Sequence, residues 1–380
     1  MGADHAATAT LFTPIELGAL RLRSRVAVAP MTRVSASAEG LATPQMAAYY
    51  GSFAAGGFPL ITTEGIYTDE AWSQGYLFQP GLANDVQRDA WRPVVDAVHR
   101  RGAMFVAQLM HAGALSQGNR FRDDTRAPSA VRPKGAQMSF YRGEGDYPVP
   151  RAMSQVEIAQ AVEGFAAAAR RAREAGFDGV EIHGANGYLL DQFLTEGVNL
   201  RPDGYGGAAL DRLRLIRETV LAVRAALGDE FTLGLRISQG KVNDFTHKWQ
   251  GEHEAAAIFG ALGELPLDYL HVTEFEAWQP AFVDAPSLAA LARRHAGLPV
   301  MANGSLHEPQ RAAALLAEGT ADLVSLGRGA LTHADWPRRV QEGLALDAFD
   351  RGLLSPIADL DNAARRRVET GAASTRRLAP

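Results

Sequence analysis

Three side chains that can donate a hydrogen bond or a proton stand close together near the middle of the chain. His183, Asn186 and Tyr188 occur in the run His-Gly-Ala-Asn-Gly-Tyr, directly after a strand-like stretch at residues 178–182. An imidazole and a carboxamide can both donate to one acceptor, and a phenol carries a transferable proton. Such a set can polarise a carbonyl group and protonate the carbon beside it. The alternative is a polar loop in which His183 caps a neighbouring element and Tyr188 only packs.

The composition is that of an ordinary globular protein with ample apolar material for a core. The chain has 380 residues, of which 47% are hydrophobic and 21% are charged, and its net charge is -5. This balance gives no electrostatic reason to expect a nucleic acid or an anionic membrane as partner. The chain has no cysteine, which excludes disulfides, iron–sulfur clusters, thiolate nucleophiles and cysteine-ligated zinc. We predict no metal site and take the cytoplasm as the expected compartment.

The elements that must position these side chains alternate regularly along the sequence. Short apolar or β-branched runs, continuous rather than alternating in polarity, are typical of strands in a parallel sheet covered on both faces. They fall at residues 25–29, 60–63, 104–109, 179–183, 232–237, 269–273, 299–302 and 323–326. Amphipathic helical stretches separate them. One opens with a capping box at Ser154 and stops at Gly176, and two others, 210–227 and 309–317, stop before Gly228 and Gly319.

Eight strand-then-helix units, with no change in amino-acid composition that would mark a second domain, predict an α/β fold. The prediction is a single (β/α)8 TIM barrel. A doubly wound sheet is disfavoured because no Gly-x-Gly-x-x-Gly turn follows the first strand. Residues 15–22 read as a hairpin that plugs the barrel bottom, and the Gly-, Pro- and Arg-rich segment of about 114–151 reads as a cap over its mouth. We expect residues 1–10 to be a flexible leader, 11–345 the barrel and 346–380 an extension with a basic, partly disordered tail.

In such a barrel the active site lies at the C-terminal ends of the strands. Asn303, Gly304 and Ser305 follow the seventh strand, and Gly327 and Arg328 follow the eighth. Glycines there let backbone N–H groups approach a phosphate, and an arginine adds a planar cation. Two ordinary glycine turns are the alternative.

Other strand ends suit a flat, hydrogen-bonding, redox-active ring. Thr32 can donate to a ring carbonyl, Gln108 can donate and accept at once, and Arg236 offers a fixed positive charge. Taken singly, Gln108 can be a satisfied polar group of the barrel interior and Arg236 half of a buried ion pair.

At this point the chain resembles the Old Yellow Enzyme family of FMN-dependent ene-reductases, from about Phe12 to Val340. The motifs that carry the resemblance lie on strands one, three, four, six and eight and in the loops that follow them. They are Val28-Ala-Pro-Met-Thr-Arg33, Gln108-Leu-Met-His-Ala-Gly113, Ala127-Pro-Ser129, residues 175–193, residues 199–207, Asp268-Tyr-Leu-His271 and residues 321–328. The long motif at 175–193 is highly specific.

The resemblance implies a role for each position. The flavin ring would be held by Pro30, Met31, Thr32, Gly65, Gln108 and Arg236. The rest of the cofactor site, on the phosphate side, would be formed by Asn303, Gly304, Ser305, Gly327 and Arg328. His183 and Asn186 would bind the carbonyl or nitro oxygen of the substrate, and Tyr188 would donate the proton.

The implied reaction is a ping-pong cycle in which NADPH or NADH reduces FMN and is replaced by an activated alkene. Hydride would pass from flavin N5 to the β-carbon and a proton from Tyr188 to the α-carbon. Charge then builds on the carbonyl oxygen, where a donor is worth about 3–4 kcal/mol in good cases. General-acid help is typically worth about 10²–10⁴-fold.

Several positions depart from the pattern of the family. Thr32 places the chain with the threonine branch rather than the branch that has a cysteine. Met110 stands where that branch usually has a tryptophan, which implies a pocket of different shape. Met110 and Trp278 are candidate substrate contacts, with packing beneath the cap as the alternative for Trp278.

Three other interpretations stay open at this level. The chain could be a flavin-dependent dehydrogenase of the same family that works in the oxidative sense. It could be a phosphate-binding barrel enzyme without flavin, or a catalytically silent flavin-binding protein. We expect small-molecule partners only, no nucleic acid and no membrane, and a monomer or homodimer.

Overall fold

A computed structural model describes residues 7–377 of the chain, and the side chains of residues 7–370. Eight parallel strands pair in sequence order, and the last pairs with the first, so that the sheet closes into a barrel. The strands are β1 (Val26–Val28), β2 (Leu60–Thr62), β3 (Met104–Met110), β4 (Gly179–Asn186), β5 (Thr232–Lys241), β6 (Tyr269–Thr273), β7 (Val300–Asn303) and β8 (Leu323–Leu326). The predicted (β/α)8 barrel is confirmed, and every predicted strand coincides with an observed one.

Helices follow the strands and cover the outside of the barrel. They are α1 (Pro44–Ala55), α2 (Asp85–His99), α3 (Gln155–Ala175), α4 (Arg214–Leu227), α5 (Glu252–Gly263), α6 (Leu288–Ala296), α7 (Pro309–Ala317), α8 (Trp336–Glu342) and α9 (Leu360–Arg377). Shorter helices occupy Leu189–Leu194, Ala209–Arg212 and Arg328–Thr332, and single 3-10 turns occupy Ala9–Phe12, Gly113–Leu115, Ser139–Tyr141 and Arg351–Leu354.

The local signals in the sequence set the helix ends. Ser154 and Glu157 form the predicted capping box at the start of α3, and Gly176 ends that helix with a positive φ of 99°. The predicted continuous helix 210–227 is wrong in one respect. It is divided at Leu213 into Ala209–Arg212 and α4, and the Arg212 side chain beside this point donates to the carbonyls of Leu194 and Gly207.

The N-terminal face of the barrel is closed by a two-stranded hairpin. Ile15–Leu17 and Leu20–Leu22 pair antiparallel, as predicted. Leu17, Leu20 and Leu22 are each no more than 2% exposed and pack against the first residues of the barrel strands. Thr232 at the start of β5 accepts from the Ala19 N–H and donates to the Leu17 carbonyl, which ties the hairpin to the barrel.

The C-terminal face carries the predicted cap. Arg126–Ala127 pairs with Arg151–Ala152, so the two ends of the segment 128–150 lie side by side. The turn Ser139–Tyr141 of this segment reaches over the barrel mouth, where it lines a cavity with the strand ends. The cap is held from below by Gln117, whose amide nitrogen donates to the Met138 carbonyl.

The structure describes only part of the predicted leader and tail. Residues 1–6 and 378–380 of the expected leader and tail lie outside the described residues. Ala9–Phe12 forms a 3-10 turn in which Leu11 is fully buried. The basic run that begins at Arg365 lies in α9, which packs against α1. No helix within residues 7–377 is long and apolar enough to cross a membrane.

Candidate active site

A cavity of about 590 Å³ lies between the C-terminal ends of the strands and the cap. Its size falls within the range of small-molecule and cofactor sites. Most of the residues predicted for the site line it, and they come from strands or loops far apart in sequence. They are Pro30, Met31, Thr32, Gly65, Gln108, Met110, His183, Asn186, Tyr188, Arg236, Gly327 and Arg328.

Four predicted residues lie outside this cavity. Asn303 and Ser305 line a small recess beside it, which shares Gly327 and Arg328 with the cavity, and Gly304 lies between them in sequence. Trp278 packs against the barrel core, and the guanidinium carbon of Arg311 sits 3.9 Å from the centre of its ring. The structure therefore gives Trp278 a packing role and does not bring it to the candidate substrate pocket.

His183 is held as a neutral hydrogen-bond donor. It lies on β4, where residues 179–185 are all buried, and is itself 4% exposed. Burial and the positive charge of Arg236 hold the pKa of His183 well below its ordinary value. Its Nδ1 accepts a hydrogen bond of 3.3 Å from the Ala185 backbone N–H, and therefore Nε2 carries the proton. The imidazole thus offers one N–H to the cavity.

Asn186 occupies a left-handed backbone conformation with φ of 62° at the end of β4. Its own N–H donates to Ser238 Oγ at 2.9 Å, and its carbonyl accepts from Val242. These bonds use the backbone of Asn186 and leave its carboxamide to face the cavity, which it lines. The conformation favours asparagine or glycine, so the residue type suits both the turn and the chemistry.

A buried ion pair supports this turn from behind. Asp191 accepts the Gly187 N–H at 2.6 Å and pairs with Lys241, whose Nζ lies 2.5 Å from the carboxylate. Both side chains are at most 5% exposed. Because breaking a buried pair leaves an uncompensated charge, the loop that carries Asn186 and Tyr188 is firmly positioned.

Tyr188 is buried and shares its hydroxyl with a second tyrosine. The hydroxyl oxygens of Tyr188 and Tyr76 lie 2.5 Å apart, and the Tyr188 ring meets the His183 ring edge-on at 4.8 Å. Burial raises the pKa of Tyr188 well above its ordinary value. The phenol is therefore protonated at neutral pH and has a hydroxyl neighbour from which its proton can be replaced.

Gln108 is oriented by a polar cluster inside the barrel. Its Nε2 donates to Glu181 at 2.8 Å, so its Oε1 is the amide atom left for the cavity. Glu181 also accepts from Tyr269 and from His271, and the other nitrogen of His271 contacts Ser325. Burial alone would raise the pKa of Glu181, but His271, Arg236 and Gln108 together lower it to about 2. Sequence reasoning assigned this cluster no role, although Glu181 and His271 lie in the quoted motifs.

Arg236 presents a buried positive charge to the cavity. Its Nη2 donates to Asn303 Oδ1 at 2.9 Å and to Thr273 at 3.2 Å, while its Nε is buried without a partner. Burial lowers the pKa of Arg236 to about 10, so the side chain is still charged at neutral pH. Asn303 was predicted to bind a cofactor, and its oxygen is here used to hold the guanidinium. A buried donor without a partner is costly unless a bound group accepts from it.

A guanidinium and two glycines lie together at the edge of the cavity. Arg328 Nη2 donates to Ser305 Oγ at 2.5 Å, beside Gly327. Gly304 has a φ of 143°, and a Cβ there would lie 2.2 Å from the Glu274 carbonyl oxygen. Only glycine fits at that point, and the nearby guanidinium of Arg328 is of a kind suited to phosphate oxygens.

Sequence reasoning missed two tyrosines at the cavity. Tyr141 of the cap lines it, and Tyr76, which follows β2, packs against Tyr141 with the ring centres 4.8 Å apart. No local pattern marks Tyr76, because its role depends on its contact with Tyr188, which is 112 residues away. Tyr141 had a weak signal, since it is an aromatic residue within the predicted cap.

Comparisons with known proteins agree along nearly the whole chain. The model of the NADH:flavin oxidoreductase / NADH oxidase family matches residues 10–347. The flavin oxidoreductase hxnT of Emericella nidulans is 35% identical over 370 residues, covering 90% of this chain and 92% of that protein. The 12-oxophytodienoate reductase 1 of Oryza sativa subsp. japonica is 36% identical over 354 residues, covering 91% of this chain and 90% of that protein.

Solved structures give the same result. The old yellow enzyme homologue from Zymomonas mobilis superposes with a TM-score of 0.84 at 33% identity, covering 93% of this chain and 98% of that one. Morphinone reductase in complex with tetrahydroNAD superposes with a TM-score of 0.79 at 34% identity, covering 90% of this chain and 93% of that one. Identity of this level over this length reflects shared ancestry as well as shared architecture.

Proposed function

This chain belongs to the NADH:flavin oxidoreductase / NADH oxidase family, also called the Old Yellow Enzyme family, and from that premise we propose that it reduces C=C bonds conjugated to a carbonyl or nitro group. As a member it is an FMN-dependent oxidoreductase that takes electrons from NAD(P)H. The alternative of a phosphate-binding barrel without flavin is thereby removed. The proposal concerns the electron acceptor and the residues that act on it.

The cavity residues fit FMN. The unpartnered Nε of Arg236 and the free Oε1 of Gln108 are a donor and an acceptor for the edge of a ring. At Gly65 a Cβ would lie 2.6 Å from Met110 Sδ, so a side chain there would crowd the cavity. We propose that the ring is held by Pro30, Met31, Thr32, Gly65, Gln108 and Arg236, and the phosphate by Gly304, Ser305, Gly327 and Arg328. When bound, FMN supplies the hydride for the β-carbon of the alkene.

His183 and Asn186 are proposed to bind the oxygen of the activating group. The Nε2–H of His183 and the carboxamide of Asn186 can donate to one oxygen, where negative charge develops as the β-carbon becomes saturated. A neutral imidazole suits this role because it donates without a change in its own protonation state. The nearby charge of Arg236 acts in the same direction as these two donors.

Tyr188 is proposed to complete the reaction. Its O–H bond breaks as a C–H bond forms at the α-carbon, and the electron pair that formed the enolate C=C bond makes the new bond. The Tyr188 oxygen then regains a proton from the Tyr76 hydroxyl, 2.5 Å away, or from solvent. The single observation that carries the proposal is the convergence of two neutral donors and one phenol in one cavity.

An anaerobic absorbance titration tests the proposal. The purified protein is reduced with NADPH, or separately with NADH, and 2-cyclohexenone is then added. We expect the flavin absorbance to bleach with the nicotinamide and to return with the enone. Bleaching with no recovery from 2-cyclohexenone or from a nitroalkene would contradict ene-reduction. Reduction of the flavin by a saturated ketone would favour the dehydrogenase alternative.

A further inference from the structure

A second cavity, of about 330 Å³, lies on the outside of the barrel between α1 and α9. We call it the α1/α9 cavity. Its polar lining residues are Arg33, Gln45, Tyr49, Ser52 and Arg367, and its apolar lining residues are Ala48, Leu331, Leu353, Leu360, Ala363 and Ala364. None of the roles proposed above involves these residues.

Arg33 lines this cavity and is a buried side chain with hydrogen-bond donors that lack partners. The side chain is 1% exposed, and its Nη2 donates to the Asp359 carbonyl at 3.1 Å. Its Nε and Nη1 are buried without partners. Among the described residues no carboxylate oxygen lies within 4.0 Å of the guanidinium. A buried cation with two free donors is destabilising unless a bound group accepts from it.

Tyr49 adds a third unsatisfied donor on the same wall. Its hydroxyl is buried without a partner, and the guanidinium carbon of Arg33 lies 5.7 Å from the centre of its ring. The neighbouring Ser52 donates its own hydroxyl to the Tyr49 carbonyl and so does not satisfy the phenol. Burial raises the pKa of Tyr49 above its ordinary value, which keeps this donor protonated.

The charge of the cavity lining is positive. Arg367 is a second guanidinium at its edge, with one nitrogen bonded to the Leu331 carbonyl at 3.2 Å. No acidic side chain of the described residues lines the cavity. Glu64 lies behind Arg33, but it accepts the backbone N–H groups of Arg33 and Val34 rather than the guanidinium. Burial raises the pKa of Glu64 to about 7, so it offsets the charge of Arg33 only in part at neutral pH.

The remaining lining is apolar and determines the shape of a suitable ligand. Leucine and alanine side chains from α9 and from the segments around Leu331 and Leu353 line the cavity together with the arginines. A volume of this size is at the small end of ligand pockets. It is large for an inorganic ion and suits a molecule with a charged head and a short apolar body.

We propose that the α1/α9 cavity binds a small organic carboxylate, whose oxygens accept from Arg33 and Tyr49 and whose apolar body packs against the leucines. A guanidinium recognises a carboxylate through parallel N–H donors, and Arg33 has its Nε and Nη1 free for this geometry. Arg367 adds long-range attraction at the entrance. This site adjoins the barrel mouth, since Leu331 lines both cavities, but binding there does not depend on the proposed reaction.

Calorimetric titration of the FMN-containing protein tests the site. The ligands are sodium hexanoate, hexan-1-ol and inorganic phosphate, at one constant ionic strength because exposed charges are screened by salt. We expect hexanoate to bind with a Kd of about 1 mM or tighter. Hexan-1-ol lacks the anion and phosphate lacks the apolar body, so both should bind at least about tenfold more weakly.

Variants locate the binding. Arg367→Gln and Tyr49→Phe should each weaken hexanoate binding by about tenfold, since a charge-assisted hydrogen bond is lost or weakened. Arg33→Met should abolish it. Arg21→Gln is the matched control, because Arg21 is an exposed arginine on the hairpin at the other face of the barrel. Far-UV circular dichroism and thermal melting check that each variant is folded.

Three results would overturn the proposal. One is the absence of heat with hexanoate. Another is binding that is unchanged in both Arg367→Gln and Tyr49→Phe but lost in His183→Leu, which would place the anion in the barrel mouth. The third is phosphate binding as tight as hexanoate, which would make the site one for inorganic oxyanions. Loss of binding only in variants of the α1/α9 cavity supports it, whatever the enzyme does with enones.

Discussion

The two faces of the barrel bury different kinds of side chain, apolar at the hairpin face and polar at the mouth. At the hairpin face, Leu17, Leu20 and Leu22 are buried against Tyr269 and Met301. At the mouth, Arg236 and Tyr188 are equally buried, yet a donor of Arg236 has no partner and the hydroxyl of Tyr188 is shared with another phenol. The hairpin face gains stability from apolar burial, whereas the mouth keeps polar groups buried at a cost in stability.

The backbone shows the same contrast. Asn186 and Ser305 adopt positive φ values of 62° and 53° although they are not glycine; Asn186 is the last residue of β4, and Ser305 follows β7. At the hairpin turn the positive φ belongs to Gly18. Backbone strain persists where the surrounding structure enforces it, and such positions cluster at functional sites. In this protein, the residues that stabilise the fold and the residues that line the candidate active site lie at opposite ends of the strands.

The largest expected effect is the loss of the proton donor at the mouth. Tyr188→Phe should slow alkene reduction by about 10²–10⁴-fold, because general-acid catalysis is removed. It should leave the rate of flavin reduction by NADPH nearly unchanged, since that half-reaction does not use the proton. Stopped-flow absorbance of the two half-reactions measures this. Tyr205→Phe, a tyrosine bonded to Glu218 away from the cavity, is the control. Equal slowing of both half-reactions would contradict the assignment of Tyr188 as the proton donor.

Removal of one oxyanion donor should have the next largest effect. His183→Leu should lower kcat for 2-cyclohexenone by about 10²–10³-fold, as for other oxyanion donors. The thermal midpoint should change little, because the variant replaces a buried neutral ring by a buried apolar side chain. Steady-state kinetics and calorimetry on the same preparation measure both quantities. A large fall in stability with full activity would show that His183 contributes to the stability of the fold, as the hairpin leucines do, and not to catalysis.

The converse experiment is made at the hairpin. Leu20→Ala should destabilise the fold by about 2–5 kcal/mol, because it opens a cavity under a fully packed face. Its kcat and its affinity for FMN at a temperature where the protein is folded should be unchanged. Urea unfolding and flavin fluorescence measure the two. Arg21→Ala, which alters an exposed neighbour on the same hairpin, is expected to have almost no effect. Reduced FMN affinity in Leu20→Ala would mean that the two faces are coupled.

The smallest effect is a dependence of stability on pH. Since the pKa of His183 is held well below its ordinary value in the folded protein, the unfolded state binds a proton near pH 6.5 that the folded state does not. The stability from this residue is present above pH 6.5 and is lost as the pH falls below it. About 1 kcal/mol should disappear between pH 7.5 and 5.5.

Urea unfolding at pH values from 7.5 to 5.5 measures that slope, and His183→Leu should reduce it by the equivalent of one proton. Other buried histidines contribute in the same direction, since burial also lowers the pKa of His111 and of His271. The slope should therefore become smaller in the variant but not vanish. A variant with the same slope as the parent protein would show that His183 is protonated in the folded state.

Much of the architecture could be predicted from the sequence because its signals are local. The continuous apolar runs marked all eight strands, and the capping box at Ser154 and the glycine at 176 marked the ends of α3. The leucines of residues 15–22 predicted the hairpin plug. The division of the predicted helix at Leu213 was not predicted, because no glycine, proline or capping residue marks it in the sequence.

By itself, the sequence determined the barrel and the set of polar residues at the strand ends, because periodicity is a property of neighbouring residues, and the resemblance of its motifs to a known family implied FMN as the cofactor. Only the tertiary structure decided which of those residues share a cavity. It placed Trp278 against Arg311, turned Asn303 toward Arg236, set Tyr76 beside Tyr188 and left Arg33 without partners for two of its donors. The physical reason is that hydrogen-bond satisfaction and burial depend on contacts between distant segments, and no local pattern encodes them.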